Sequence, residues 1–140
     1  VDAMCAKMLD PEFNKGIEVI VLPNLYGDIV TDVAAEHQGG LGTASSSNIG
    51  NKYAMFEAIH GTAPFLMSHG RGNYADPCSL IRAAGMLMAH IGYGDRKEIL
   101  DKALDICTIT ERKLVVTTDV DGATAAEFTD YLIDTINRLK

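Results

Sequence analysis

The sequence predicts an α/β fold with helices on both faces of a sheet. Short β-branched apolar runs alternate with longer segments of helical period, clusters of Gly, Pro, Asn and Ser punctuate them, and neither an internal repeat nor a linker divides the chain. A chain of 140 residues, 47% hydrophobic, holds one domain with a real core rather than two ordinary ones. No apolar run approaches the ~20 residues of a membrane span, so no membrane partner is expected. A formal charge of −7 with no offsetting Lys/Arg cluster disfavours nucleic acid as a partner. Cys5, Cys78 and Cys107 are far apart and lack metal-ligand spacing. They read as core or half-buried thiols in a reducing compartment, and the location expected is cytoplasmic.

Taken in order, Val1, Met4, Cys5 and Met8 fall at i, i+3, i+4 and i+7, so an amphipathic helix over 1–9 already includes the first residue. The 140 residues are therefore expected to be a fragment of a longer chain, forming a single domain over 1–140. Pro11 ends that helix. The run 17–22, Ile-Glu-Val-Ile-Val-Leu, predicts a buried strand, broken by Pro23-Asn24 and Gly27. A helix over 28–37 follows, with Ile29, Val30, Val33 and Ala34 inward and Gly39-Gly40 as its stop. Residues 41–50, rich in Gly, Ser and Asn, predict a loop.

Alternation over 53–59 predicts a strand, with Ala54, Phe56 and Ala58 on one face and Met55, Glu57 and Ile59 on the other. Asp76 as N-cap and Pro77 at the first position open a helix over 77–91, with Leu80, Ile81, Ala84, Leu87, Met88 and Ile91 at core spacing. A helix over 95–111 turns Ile99, Leu100, Ala103, Leu104, Ile106 and Cys107 inward. A short strand over 114–118 precedes a last helix over 124–138, with Phe128, Tyr131, Leu132 and Ile136 inside.

Chemistry concentrates in two stretches. Asp28, at the beginning of its helix, meets the positive end of the dipole, and Asp32 lies one turn along on the same face. Two carboxylates so placed repel unless a cation separates them, which suits a hard divalent ion such as Mg²⁺ or Mn²⁺. A capping Asp followed by a second on a solvated face is equally an ordinary helix surface, and spacing alone does not decide between the two. Glu57 is either a structural acid near a strand end or a group at a ligand. His60 beside Gly61 has a plain reading as a loop histidine, and Asp2 as a solvated acid.

The whole stretch PNLYGDIVTDVAAEHQGGLGTASSSNIG at 23–50 resembles the metal-binding segment of the decarboxylating β-hydroxyacid dehydrogenases, the isocitrate/isopropylmalate dehydrogenase family. FEAIHGTAP at 56–64 is similar to that family's nucleotide-binding loop, at the expected distance downstream. Two long blocks in order are more specific than either alone. The resemblance covers essentially the whole chain and implies the C-terminal portion of the family's large domain, closest to the isocitrate branch by its Gly-Gly-Leu-Gly and Asn-Ile-Gly. It implies a metal held by Asp28 and Asp32 with Asp2 reaching across a homodimer, and a dinucleotide wrapped by His60, Gly61, Thr62 and Ala63, with Glu57 near the nicotinamide and Asp76 near the adenine. The implied reaction oxidises a 2-hydroxy tricarboxylic or dicarboxylic acid, isocitrate first and isopropylmalate or homoisocitrate as alternatives, with loss of a carboxylate. Its acid–base Lys and Tyr have no match in these residues, so this fragment alone is expected to be inactive. A non-catalytic nucleotide-binding or oligomerisation module of the same fold is the competing reading.

No G-x-G-x-x-G is present, so a Rossmann fold is not expected. Phe65-Leu66 carry neither the Lys-Tyr pair of similar NADP enzymes nor the acid of similar NAD enzymes, and the segment before Asp121-Gly122 lacks the Tyr and Arg that clamp a 2′-phosphate. The cofactor is NAD or NADP, with a lean to NAD. His69, Arg71 and Arg82 are candidate phosphate contacts, with surface charge as their plain reading. Asp76 stands where the family usually has Asn and keeps only acceptor capacity. Ser45, Ser46 and Ser47 replace the more usual Pro-Gly-Ala.

Overall fold

The computed structural model describes the backbone of residues 1–140 and every side chain except those of Gln38 and Leu41. Two compact units form, Val1–Leu41 and Gly42–Lys140. The first is helical, with α1 (Asp2–Lys7), α2 (Pro11–Asn14) and α3 (Asn24–Gln38). Pro11 does more than end α1. It occupies the first position of α2, whose cap is Asp10, the carboxylate accepting from the Glu12 N–H at 2.9 Å.

Helix α3 begins four residues before the expected position 28, because Pro23 supplies the extended entry (φ −59, ψ 150) and its carbonyl already accepts from the Gly27 N–H at 2.8 Å. Gly27 does not break the helix; an interior Gly costs only about 1 kcal/mol. The stop falls where expected, at Gly39 with φ 125. Inward residues are Val30 and Ala35, while Ile29 is 42% exposed and Val33 and Ala34 are half-buried. Helix α1 packs against α3 within this unit.

Residues 17–22 form no strand. Val19 is 80% and Val21 89% exposed. A strand requires a neighbour to pair its backbone groups, and among the described residues this run meets none. The expected strand over 114–118 is absent too: the Val115 carbonyl accepts from the Ala123 N–H at 2.8 Å without a ladder forming, and Val116 packs against the core.

In the second unit the 53–59 strand is observed as β2 (Ala54–Ala58), with the expected alternation of half-buried Ala54, Phe56 and Ala58 and exposed Met55 and Glu57. Its partner arises from the expected loop: Ser45–Ile49 form β1, antiparallel to β2 from Ser45↔Ala58 to Ile49↔Ala54. Serine tolerates an extended backbone, and its small hydroxyl finds partners here. Ser45 Oγ lies 3.1 Å from Met86 Sδ, and the buried Ser79 donates back to the Ala44 carbonyl. Helix α4 (Pro64–Ser68) and a 3₁₀ turn at Gly72–Tyr74 lead to α5 (Cys78–His90), which packs on both strands; Phe56 and His90 rings lie 5.3 Å apart.

Helices α5, α6 (Gly94–Asp105) and α7 (Ala125–Leu139) enclose the core: Cys78, Leu100, Ala103, Leu104, Cys107, Phe128 and Leu132, with Ile81, Met88, Tyr131 and Ile136 around it. Of the residues expected inward on the α6 segment, Leu100, Ala103, Leu104 and Cys107 lie in this core and Ile99 and Ile106 are half-buried, while all four of α7 lie in or beside it. Those of α5 divide: Ile81 and Met88 pack against the core, whereas Leu80 is 62%, Leu87 43% and Ile91 57% exposed, and the buried positions are Cys78, Ser79, Ala83 and Gly85. Small residues face α6 because they allow close approach; a Cβ on Gly85 would sit 3.4 Å from Leu100 Cδ2. Among the described residues no helix is long and apolar enough to cross a membrane.

After α6 the helix widens into a π turn at Ile106–Thr110, closed by the Glu111 N–H to the Ile106 carbonyl at 2.8 Å. Glu111 then ties this end to α7. It accepts from Arg138 Nη1 at 3.0 Å, Lys113 Nζ at 2.9 Å and the Tyr131 hydroxyl at 2.8 Å. These bonds, Arg138 first, lower its pKa from an ordinary 4.5 to about 2. Burial and then the bond to Glu111 push Tyr131 up to about 12. A carboxyl with a depressed folded pKa contributes stability that is complete above its ordinary 4.5 and is lost as pH falls toward 2. In acid titrations followed by circular dichroism, Glu111→Gln therefore flattens the fall in Tm across that window. An unchanged acid slope would show that the cluster does not couple to folding.

Candidate functional site

Asp28 and Asp32 sit on successive turns of α3, both exposed, and among the described residues neither carboxylate has a hydrogen bond or ion pair. Because α3 starts at Asn24, Asp28 is not its cap and lies in its second turn. The first-turn amides therefore do not fix its carboxylate, which projects freely beside that of Asp32. Asp2 opens α1 fully exposed, its Oδ1 accepting from the Ala3 N–H at 2.8 Å. No cluster of three or more His, Cys, Asp or Glu side chains suited to a metal ion is found among the described residues. One chain thus aligns Asp28 with Asp32 but does not gather Asp2 with them.

The second stretch runs out of β2. Glu57 is on the exposed face, its Oε1 accepting from Asn48 Nδ2 at 3.0 Å across the hairpin. His60 and Thr62 are exposed, and His60 Nδ1 lies 3.0 Å from the Gly61 carbonyl oxygen. A Cβ on Gly61 would meet nothing within 4 Å, so the protein's own packing does not demand glycine there. Ala63 is left-handed, at φ 48 and ψ 58, just before Pro64 opens α4. That conformation costs an L-residue roughly 1–2 kcal/mol, and strain of this kind collects at ligand-binding loops. Asp76 is half-buried and accepts from the Cys78 N–H at 2.8 Å; α5 starts at Cys78 with Pro77 as its cap residue, so the expected N-cap, Asp76, stands one residue outside it and Pro77 is the cap rather than the first helical residue. A Cβ on Gly42 would lie 3.1 Å from the Asp76 Cβ, so the loop before β1 needs glycine to pass. Burial, reinforced by Asp76, pushes the Cys78 thiol far up, leaving it inert as a nucleophile. No hydrogen bond or ion pair joins Asp76 to His60, Gly61, Thr62 or Ala63 among the described residues.

The family model described as isocitrate/isopropylmalate dehydrogenase matches residues 1–136. The chain belongs to that family. Its relatives place it on the isocitrate dehydrogenase branch. It is 50% identical over 86 residues to an isocitrate dehydrogenase [NADP] of Rickettsia typhi, covering 61% of this chain and 17% of the relative. It is 42% identical over 139 residues to a mitochondrial regulatory subunit of isocitrate dehydrogenase [NAD] from Dictyostelium discoideum, covering 97% of this chain and 37% of that one. The crystal structure of isocitrate dehydrogenase from Methylococcus capsulatus superposes with a TM-score of 0.85 at 30% identity, over 96% of this chain and 39% of that chain. This family member therefore spans well under half the length of the relatives it matches.

By sequence Arg71 and Arg82 are candidate phosphate contacts or surface charge. Each is a half-buried member of an ion pair, Arg71 Nη1 with Asp119 Oδ2 at 3.4 Å and Arg82 Nη2 with Asp105 Oδ1 at 3.5 Å. His69 stacks on Phe65, with ring centroids 4.2 Å apart. The partner Asp119 went unnoticed because it lies far along the chain from Arg71, where no local periodicity links them.

Proposed function

We propose that this chain is the nucleotide- and metal-binding part of a nicotinamide-dependent isocitrate dehydrogenase, converting isocitrate to 2-oxoglutarate and CO₂ within a longer chain that works as a homodimer. The family match carries this reading, and the unpartnered Asp28/Asp32 pair supports it. Two hard oxygen donors with no protein partner suit Mg²⁺ or Mn²⁺. Asp28 and Asp32, with Asp2 of the partner subunit, would hold the ion, which when bound supplies positive charge against oxyanions of the substrate.

The chain's own residues serve the cofactor. Exposed backbone and side chains over 60–63 wrap the adenosine, Thr62 offers a hydroxyl, and the open side of Gly61 admits close approach. Glu57 stands toward the nicotinamide, and the free oxygen of Asp76 accepts from the adenine amino group. Phe65 and Leu66 stand at the ribose end, and the unpaired run 17–22 continues a sheet built by chain outside this range. The proton-transfer groups lie outside it too, which leaves these 140 residues inactive alone.

A second reading, a non-catalytic subunit, is favoured by the relative named as regulatory, which aligns over 97% of this chain. Assays of the protein expressed from its complete reading frame separate the two. Isocitrate-dependent reduction of a nicotinamide nucleotide, lost on chelation and absent from the 140-residue chain, is the expected result. Nucleotide binding without turnover would support the non-catalytic reading, and turnover of isopropylmalate or homoisocitrate in place of isocitrate would correct the substrate.

A further inference from the structure

Residues 60–75 form a strap on the second unit that packing alone holds weakly. None of them is buried. Among the described residues every backbone hydrogen bond of this stretch stays inside it, from the Met67 N–H on the Ala63 carbonyl to the Ala75 N–H on the Gly72 carbonyl, both at 3.2 Å. The side-chain bonds of His60, Ser68 and His69 are equally local. A segment with no buried side chain and only internal backbone bonds opens at low free energy unless something else holds it.

The 3₁₀ turn at Gly72–Tyr74 meets α7, and Arg71 supplies the strap's one ion pair to the rest of the unit among the described residues, Nη1 to Asp119 Oδ2 at 3.4 Å. The Arg71 side chain is only 24% exposed, so this is not one of the solvated pairs that contribute little. Both partners are prepared. The Arg71 guanidinium carbon lies 5.7 Å from the centroid of the Phe65 ring, on which His69 also stacks. Asp119 Oδ1 accepts from the Val120 N–H at 2.8 Å, and its turn is fixed by the Thr117 hydroxyl donating to Asp121 Oδ1 at 2.9 Å and by Gly122, where a Cβ would collide with Thr117. Two features oppose closure: Ala63 is left-handed at φ 48, and the buried Arg71 Nε has no hydrogen-bond partner.

We propose that the Arg71–Asp119 ion pair is a clasp that keeps the 60–75 strap closed on the 117–122 turn, and that the strap opens locally, without the α6–α7 core, when the pair breaks. The strained Ala63 and the orphaned Nε favour release, so the clasp decides the balance. How the strap is held does not depend on what it binds.

The test is hydrogen exchange on the protein expressed from its complete reading frame, read at the amides of 66–75 and of α6 and α7. In the wild type the strap amides are expected to be protected, though less than those of α6 and α7. Asp119→Asn, nearly isosteric on an exposed turn, speeds exchange in the strap by about three- to tenfold and leaves α6 and α7 unchanged. Arg71→Met does the same, and the double variant goes no further than either single one, which a general loosening of the turn would not produce. A wild-type strap that exchanges as freely as an unfolded peptide overturns the clasp, as does an Asp119→Asn variant whose strap is unmoved. So does a rise shared equally by α6 and α7, or a double variant in which the two effects multiply.

Discussion

Asp28→Asn in the complete protein lowers Mn²⁺-supported turnover by about 10²–10³-fold, the scale expected when a charged metal ligand or oxyanion stabiliser is lost. Stability moves the other way. Both carboxylates are exposed on α3 with no partner among the described residues, so the substitution removes no internal bond. It does remove a like-charge repulsion at i, i+4, worth about 0.2–0.5 kcal/mol. The metal-free variant should therefore melt at the same temperature as the wild type or slightly above it. On adding Mn²⁺ the wild type gains Tm by mass action and the variant gains much less. A residue that mattered for folding alone would lose activity and stability together. Equal Mn²⁺ responses in the two proteins would remove Asp28 from the metal site, whatever happened to activity.

Helical signals were legible where the partners of the helix lie in the same chain. The buried Leu100, Ala103, Leu104 and Cys107 of α6 and Phe128 and Leu132 of α7 follow from period alone, because each helix buries its apolar stripe against the other and against α5. Where the described residues hold no partner, the same reasoning misled. Residues 17–22 have the composition of a buried strand and yet leave Val19 and Val21 in solvent, since composition specifies a preference and only a neighbouring strand satisfies it. The stretch 41–50 erred in the opposite sense. Its serines predict a loop, and pairing with β2 draws Ser45–Ile49 into a strand. The acids at positions 28 and 32 are legible as an i, i+4 pair, but the helix start is not, because Gly27 and Pro23-Asn24 read as breakers whereas Pro23 serves as the entry residue. The Arg71–Asp119 pair had no local signal at all.

The contrast between satisfied and unsatisfied stripes sets the second large expectation. Phe128→Ala destabilises the second unit by about 3–5 kcal/mol in urea titrations, through lost transfer energy and the cavity left behind. Phe128 is 2% exposed within a core of Leu104, Cys107 and Leu132, and the hydroxyl of the buried Thr135 is already bonded to the Tyr131 carbonyl at 2.9 Å, so no polar group is positioned to fill the void usefully. That loss is a large part of the ~5–15 kcal/mol that stabilises an ordinary domain. Leu80→Ala is the informative counterpart. It belongs to the same apolar pattern on α5, yet its 62% exposure leaves little area to lose, and the cost in the 140-residue chain stays under about 1 kcal/mol. In the complete protein the two substitutions converge if chain outside this range covers α5, where burial of Leu80 raises its cost toward about 2–5 kcal/mol. A Leu80→Ala cost that stays small in both proteins would mean that this face of α5 is a true surface, and that the pattern 80, 84, 87, 91 marks no hidden interface.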